Sequence, residues 1–144
     1  MSPQEEKELL LRVVLQLAKK LLQDDGGIRP FGSVLGPNRL VTLIRPSHIK
    51  RDAKLEELDA YWVSQLRRFA NEKRSKTVCY CAEVLVLPTA GAQLASVIIR
   101  MEQDGTLSEE RIYPYRKHAD SGVSFDSPAV KQMEFRVFDH QVSG

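Results

Sequence analysis

The chain has 144 residues, with 21 Lys and Arg against 19 Asp and Glu and a formal net charge of +2. This length fits one domain over residues 1–144 and is too short for two ordinary domains. The near-balanced charge argues against a dedicated binder of nucleic acid or of anionic membranes. The acidic start, and the lack of any run of about 18 apolar residues, predict neither a secretion signal nor a membrane span. Cys79 and Cys81 cannot form the disulfide framework of a small secreted protein, so we expect a cytoplasmic location.

The first predicted element is a helix that starts at a capping signal. Ser2 is a favoured N-cap, Pro3 suits the first helical position, and Glu5 completes a capping box. Apolar residues then recur at spacings of three and four, which predicts one buried face. Asp25-Gly26-Gly27 predicts the end of this helix.

A hairpin and a second helix follow. The runs Phe31 to Leu35 and Leu40 to Ile44 are rich in β-forming residues, and Gly36-Pro37-Asn38-Arg39 separates them, which predicts a β-hairpin. From about Lys50 to Arg74 apolar residues again recur at helical spacing. They are Leu55, Leu58, Trp62, Leu66 and Phe69.

The last part of the chain predicts an antiparallel meander. Its first two strands are expected at Thr77 to Leu87 and at Leu94 to Glu102, with a tight turn at Asp104-Gly105 after them. The third strand contains Pro114, which cannot donate a ladder hydrogen bond and therefore predicts a sheet edge or a strand end.

Two further strands are expected after a loop. A short strand is predicted around Val123 to Phe125. Alternation of apolar and charged residues from Met133 to Val137 predicts a half-buried last strand.

This order predicts an α+β fold with an antiparallel sheet of five or six strands and two long helices on one face, in the order α-β-β-α-β-β-β-β. The strand that begins at Leu94 is apolar on both of its faces, although the face away from the helices should be polar. Either loops or a second subunit must then cover that face. We expect a homodimer whose interface includes Leu94, Ile98 and Arg100.

A segment of each half of the chain carries a family resemblance. Arg29-Pro30-Phe31-Gly32-Ser33-Val34-Leu35 after the first helix, and Ile112-Tyr113-Pro114-Tyr115 late in the sheet, resemble a group of small uncharacterised bacterial α+β proteins in which Pro-Phe-Gly opens the first hairpin. That resemblance implies no activity. The element order is also similar to profilin-like and roadblock-type modules, which implies a dimerisation platform or small-ligand sensor. The chain departs from the roadblock pattern because its last residues predict a strand instead of a helix.

The sequence has no motif for a nucleotide, a metal protease or a serine nucleophile, and no cofactor is expected. Ser33 lies within a predicted strand, not at a strand-to-helix elbow. Cys79 and Cys81 could supply two zinc ligands, with His48, His118 and His140 as the only histidines on offer. Buried structural thiols are the favoured interpretation of this pair.

One polar cluster mixes aromatic and cationic residues. Tyr113, Tyr115, Arg116 and His118 could bind a small anion, and Arg29 would join them if the first hairpin lies nearby. The same residues could stack on single-stranded nucleic acid. They could equally belong to an edge strand whose cations discourage pairing, which is the favoured interpretation.

Glu83 lies among apolar residues in a predicted strand, where an unpaired carboxylate would be costly. Either its face of the sheet is partly hydrated or its carboxylate pairs with an arginine such as Arg100 on the next strand. The absence of a catalytic constellation favours a non-catalytic interaction or scaffold module acting through the second sheet face or a strand edge. A small-ligand or anion-binding domain or enzyme, and a binder of single-stranded nucleic acid, are the alternatives.

Overall fold

The computed structural model describes residues 2–46, 49, 54–86, 94–105, 108–120, 122–133 and 136–138. Two helices and seven strands make an α+β fold, which confirms the predicted class and, broadly, the order of its elements. The sheet has one strand more than the five or six predicted, because five strands instead of four follow the second helix. The helices are α1 (Pro3–Asp25) and α2 (Leu55–Lys73). The strands are β1 (Phe31–Leu35), β2 (Val41–Ile44), β3 (Thr77–Val86), β4 (Leu94–Gln103), β5 (Ser108–Lys117), β6 (Val123–Phe125) and β7 (Ala129–Met133).

All seven strands pair antiparallel in one open sheet of order β2-β1-β3-β4-β5-β6, and β7 also pairs with β5. The long central strands β3, β4 and β5 carry most of the ladder. Beside β5, β7 pairs with Ser108 to Ile112, and β6 pairs with Tyr115 to Lys117. The sheet therefore ends in β2 on one side and in two short strands on the other.

The two helices lie on opposite faces of the sheet, so the prediction that both pack on one face is wrong. On β3, Cys79 and Cys81 belong to the apolar cluster that contains α1, and Val78 and Tyr80 belong to the cluster that contains α2. We call these two sides the α1 face and the α2 face. Successive side chains of a strand point to opposite faces, so strands that are apolar at every position are covered twice. A strand that is apolar on both faces therefore does not require a second subunit to cover it.

Helix α1 begins and ends where the sequence predicts. The Ser2 side chain accepts from the Glu5 N–H at 3.1 Å, and the Glu5 carboxylate accepts from the Ser2 N–H at 3.1 Å. Gly26 then ends the helix in the left-handed region at φ 76°. The turn predicted between β4 and β5 is also confirmed, with Gly105 at φ 86°. No helix in the described part of the chain is long and apolar enough to cross a membrane.

Pro114 is not at a sheet edge, because β5 pairs with strands on both sides. Its carbonyl accepts from the Asp126 N–H at 2.8 Å, so its nitrogen also faces the side of β6 and β7. On that side Pro114 falls between the end of the β7 pairing at Ile112 and the start of the β6 pairing at Tyr115. The missing donor is tolerated at this gap.

The predicted ends of two elements need correction. Helix α2 starts at Leu55, and the predicted start at Lys50 lies outside the described residues. The last strand is β7, which ends at Met133, whereas the prediction placed it at Met133 to Val137. Glu134 and Phe135 lie outside the described residues, and Arg136–Phe138 is neither helix nor strand. Met133 is opposite Ser108, the first residue of β5.

Candidate functional site

The five residues predicted to bind a ligand are divided between the two faces of the sheet. Tyr113 is buried and Tyr115 half-buried on the α1 face. Arg116 is exposed, points to the opposite face and pairs with Asp126 at 3.5 Å. His118 is exposed, and its Nε2 lies 2.8 Å from the Ser124 hydroxyl.

Arg29 is exposed on the loop between α1 and β1. Glu83 connects this loop to β5, because it accepts from the Ile28 N–H at 2.9 Å and from the Tyr115 hydroxyl at 3.0 Å. The structure therefore brings the Arg29 loop close to Tyr115 and leaves Arg116 and His118 on the other face. The ligand-binding role of this set stays a prediction that the arrangement does not favour.

The proposed pair between Glu83 and Arg100 does not form. Glu83 is opposite Val97 in the ladder and faces α1, whereas Arg100 is opposite Tyr80 and faces α2. The carboxylate is satisfied by the Ile28 N–H and the Tyr115 hydroxyl instead. Arg100 lies three positions along β4 from Val97, the residue opposite Glu83, so the two charges are on opposite faces of the sheet.

Arg100 is the buried centre of an ionic network on the α2 face. Its guanidinium donates to Glu110 of β5 at 2.7 and 2.9 Å and also to Asp59 of α2. Tyr80 donates to the same aspartate, and Lys131 of β7 lies 3.2 Å from the second oxygen of Glu110. The network joins one helix to four strands and contains as many cations as carboxylates.

This network is not set up to exchange protons at neutral pH. Burial raises the pKa of Tyr80, and the hydrogen bond to Asp59 raises it further. Burial acts to lower the pKa of Arg100, but the hydrogen bond to Asp59 and the other contacts outweigh that effect and raise it. Both groups keep their protons, so we interpret the network as an anchor for α2 and not as acid–base machinery.

Of the three residues predicted at a dimer interface, two lie beneath α2. Ile98 is 1% exposed, in the cluster that contains α2, and Arg100 is in the buried network. Leu94 begins β4, and its side chain lies outside the described residues. The second sheet face is therefore covered by this chain's own helix.

Cys79 and Cys81 are buried, as expected, and form no disulfide. The Cys79 sulfur lies 3.3 Å from the Ser33 hydroxyl on β1. His48 and His140 lie outside the described residues. Among the residues that the structure describes, no group of three or more His, Cys, Asp or Glu could hold a metal ion.

We expect both thiols to resist modification in the folded protein. Burial raises the pKa of Cys79 to about 12 and that of Cys81 well above its ordinary value, and the thiolate is the reactive form. At pH 8 the native protein should react with a disulfide reagent roughly a thousand-fold more slowly than the unfolded chain. Unfolding in guanidinium should release both thiols. A rapidly reacting thiol in the native protein would contradict this expectation.

The open edge of the sheet at β2 is an exposed apolar surface. Leu40 is 68% exposed just before the strand and Leu43 is 42% exposed within it. The Gly36 N–H donates to the Leu40 carbonyl at 2.7 Å, so Leu40 turns its backbone toward β1. Because successive residues alternate, Val41 and Leu43 direct their N–H and C=O groups outward. No described strand pairs with that side of β2.

At a second surface, which the sequence did not predict, side chains hold a backbone segment. Arg136–Phe138 lies between α2 and the sheet. Glu102 of β4 accepts from the N–H groups of Val137 and Phe138, and Arg67 of α2 donates to carbonyl groups of the same segment. The only sequence signal was a glutamate within an apolar strand.

Comparisons with known proteins return no matching family model, no matching curated protein and no matching solved structure.

Proposed function

We propose that this protein is a non-catalytic interaction module that forms a homodimer by pairing the β2 edges of two copies. The observation that carries the proposal is the outward-facing backbone of Val41 and Leu43 beside the exposed side chains of Leu40 and Leu43. An unpaired strand edge without charges is a ready template for another strand. Strand β2 contains no charged residue, whereas β7, at the other edge, carries Lys131.

The surface next to β2 supports a second copy as the partner. A cleft of about 370 Å³ lies between α1 and the β1–β2 turn. Its lining residues are Glu5, Glu8, Leu9, Arg12 and Arg39. A dimer with two-fold symmetry brings the same patch of both copies together, so each patch must complement itself. A patch that carries both acidic and basic side chains satisfies this requirement.

The test is sedimentation equilibrium over a wide concentration range with wild type and Leu43→Lys. A lysine at this position adds a charge to the paired edge and repels its symmetry-related copy. We expect Leu43→Lys to weaken the dimer at least ten-fold, which corresponds to about 1.4 kcal/mol.

The matched control is Val130→Lys, which places the same side chain on the opposite edge at a residue that is 51% exposed. This variant should associate as wild type does. A wild-type monomer at every concentration, or equal weakening by the two substitutions, would contradict pairing through β2.

A further inference from the structure

Side chains from two separate elements form the surface that holds Arg136–Phe138. We call Glu102 and Arg67 the clamp and Arg136–Phe138 the tail segment. Glu102 is 1% exposed, although an ionised carboxylate is costly to bury without several hydrogen bonds. It comes from β4 and Arg67 comes from α2, so the clamp closes between the sheet and the helix.

The clamp binds main-chain atoms. Glu102 accepts from the Val137 N–H at 2.9 Å and from the Phe138 N–H at 2.8 Å. Arg67 donates to the Val137 carbonyl at 2.9 Å and to the Arg136 carbonyl at 2.8 Å. Both polar groups of residue 137 are thus held by charged side chains. Such hydrogen bonds are stronger than those between neutral groups and do not depend on the peptide's sequence.

Selectivity comes from the Val137 side chain. It is 1% exposed and belongs to the apolar cluster that contains Trp62, Leu66 and Ile98. Phe138 packs against the same cluster. The pocket therefore accepts an aliphatic side chain followed by an aromatic one.

The walls of the clamp are held in place without the tail segment. Glu102 also accepts from the Ser108 hydroxyl at 2.9 Å. Helix α2 is joined to the sheet by the Asp59–Arg100 ion pair and by Trp62, which packs over Gly32 and stacks on Tyr80. The tail segment itself adds no strand to the sheet. Because side chains make its polar contacts, it can leave without breaking a ladder.

We propose that the clamp is a binding site for an extended peptide of a partner protein, with an aliphatic residue at the position of Val137 and an aromatic residue after it. The tail segment occupies the site within the chain and competes with that peptide. An intramolecular occupant acts at an effective concentration on the order of millimolar, so the partner binds well only when the tail segment is weakened or released. This site is separate from the β2 edge.

The test uses the full chain with Val137→Asp, which places a charge in the apolar pocket beside Glu102 and vacates the clamp. The probe is a peptide with the sequence of residues 132–140. Trp62 is the only tryptophan and lies in the same apolar cluster, so its fluorescence reports occupancy. We expect saturable binding of one peptide per chain, at least ten-fold tighter to Val137→Asp than to wild type.

Two controls test the specificity. A peptide with aspartate in place of the valine should not bind, and Glu102→Gln in the Val137→Asp background should abolish binding, because an amide presents a donor toward one of the two N–H groups. Circular dichroism first establishes that each variant is folded. If Val137→Asp does not fold, Val137→Ala takes its place in the same titration.

Failure of the peptide to bind a folded variant with a vacated clamp would overturn the proposal. A wild-type dimer that dissociates on Val137→Asp but not on Leu43→Lys would show that the tail of a second copy fills the clamp. That result would also overturn the proposal that the bound peptide belongs to a different protein. If Leu43→Lys abolishes the dimer and Val137→Asp does not, dimerisation does not involve the clamp. The peptide titration then tests the clamp independently.

Discussion

Gly32→Ala is expected to destabilise the protein by about 3 kcal/mol, the upper end of the usual cost of overpacking a core, or to prevent folding. A Cβ at Gly32 would lie 2.6 Å from Cζ3 and 2.9 Å from Cε3 of Trp62, and 3.2 Å from a methyl group of Leu66. Trp62 is completely buried and stacks on Tyr80, so a movement of its ring would disturb that packing. Either β1 or α2 must shift.

Denaturant unfolding measures this loss, and Gly36→Ala is the matched control in the same hairpin. A Cβ at Gly36 would meet its nearest atom, the Leu40 carbonyl oxygen, at 3.4 Å, so this variant should change the free energy of unfolding far less. Trp62→Phe in the Gly32→Ala background should recover part of the loss, which a double-mutant cycle would reveal as coupling above about 0.5 kcal/mol. Equal losses for the two glycine variants would contradict the packing argument.

Arg100→Ala is expected to reduce the free energy of unfolding by about 3–5 kcal/mol. The Arg100 side chain is 11% exposed and lies between Glu110, which is 3% exposed, and Asp59. Removing the guanidinium leaves Glu110 buried with Lys131 as its remaining ion-pair partner among the described residues. Lys131 is 68% exposed and compensates this buried carboxylate only in part. Leaving a buried charge without its main partner costs more than the pair itself contributes.

The control for this loss is Arg111→Ala, which removes an arginine from the neighbouring strand. Arg111 is 23% exposed and pairs with Glu109 at 2.8 Å on the other face of the sheet, where about 1 kcal/mol or less is expected from a partly hydrated pair. Arg100→Met combined with Glu110→Gln should be more stable than Arg100→Ala, because it removes a buried charge. Similar losses for Arg100→Ala and Arg111→Ala would argue against the anchoring role of the network.

Local signals in the sequence were sufficient for most elements of the fold. The capping box at Ser2 and Glu5, the helix stop at Gly26 and the turn at Gly105 are each determined by neighbours in the chain, and all are confirmed. The placement of α2 on the opposite face was not local. It depends on which face of β3 each helix covers, and strands that are apolar on both faces give no preference.

The site residues depended on register, which the sequence does not specify here. The sequence allowed a pair between Glu83 and Arg100 because they lie on two neighbouring strands. In the structure, however, the ladder puts Val97 opposite Glu83. The clamp was still harder to predict, because its partner groups are backbone atoms of Val137 and Phe138. Main-chain groups are the same at every residue, so no sequence pattern marks the segment that Glu102 binds.

The unequal edges of the sheet also limit the size of an assembly built by strand pairing. At β2 one short uncharged strand has no described strand on its outer side, whereas at the other end the border is divided between β6 and β7, with Lys131 on β7. Two copies joined through β2 would present these divided borders outward, and Lys131 on β7 would disfavour pairing with a third copy there. Growth should therefore be self-limiting at a closed pair, and a fibre is not expected.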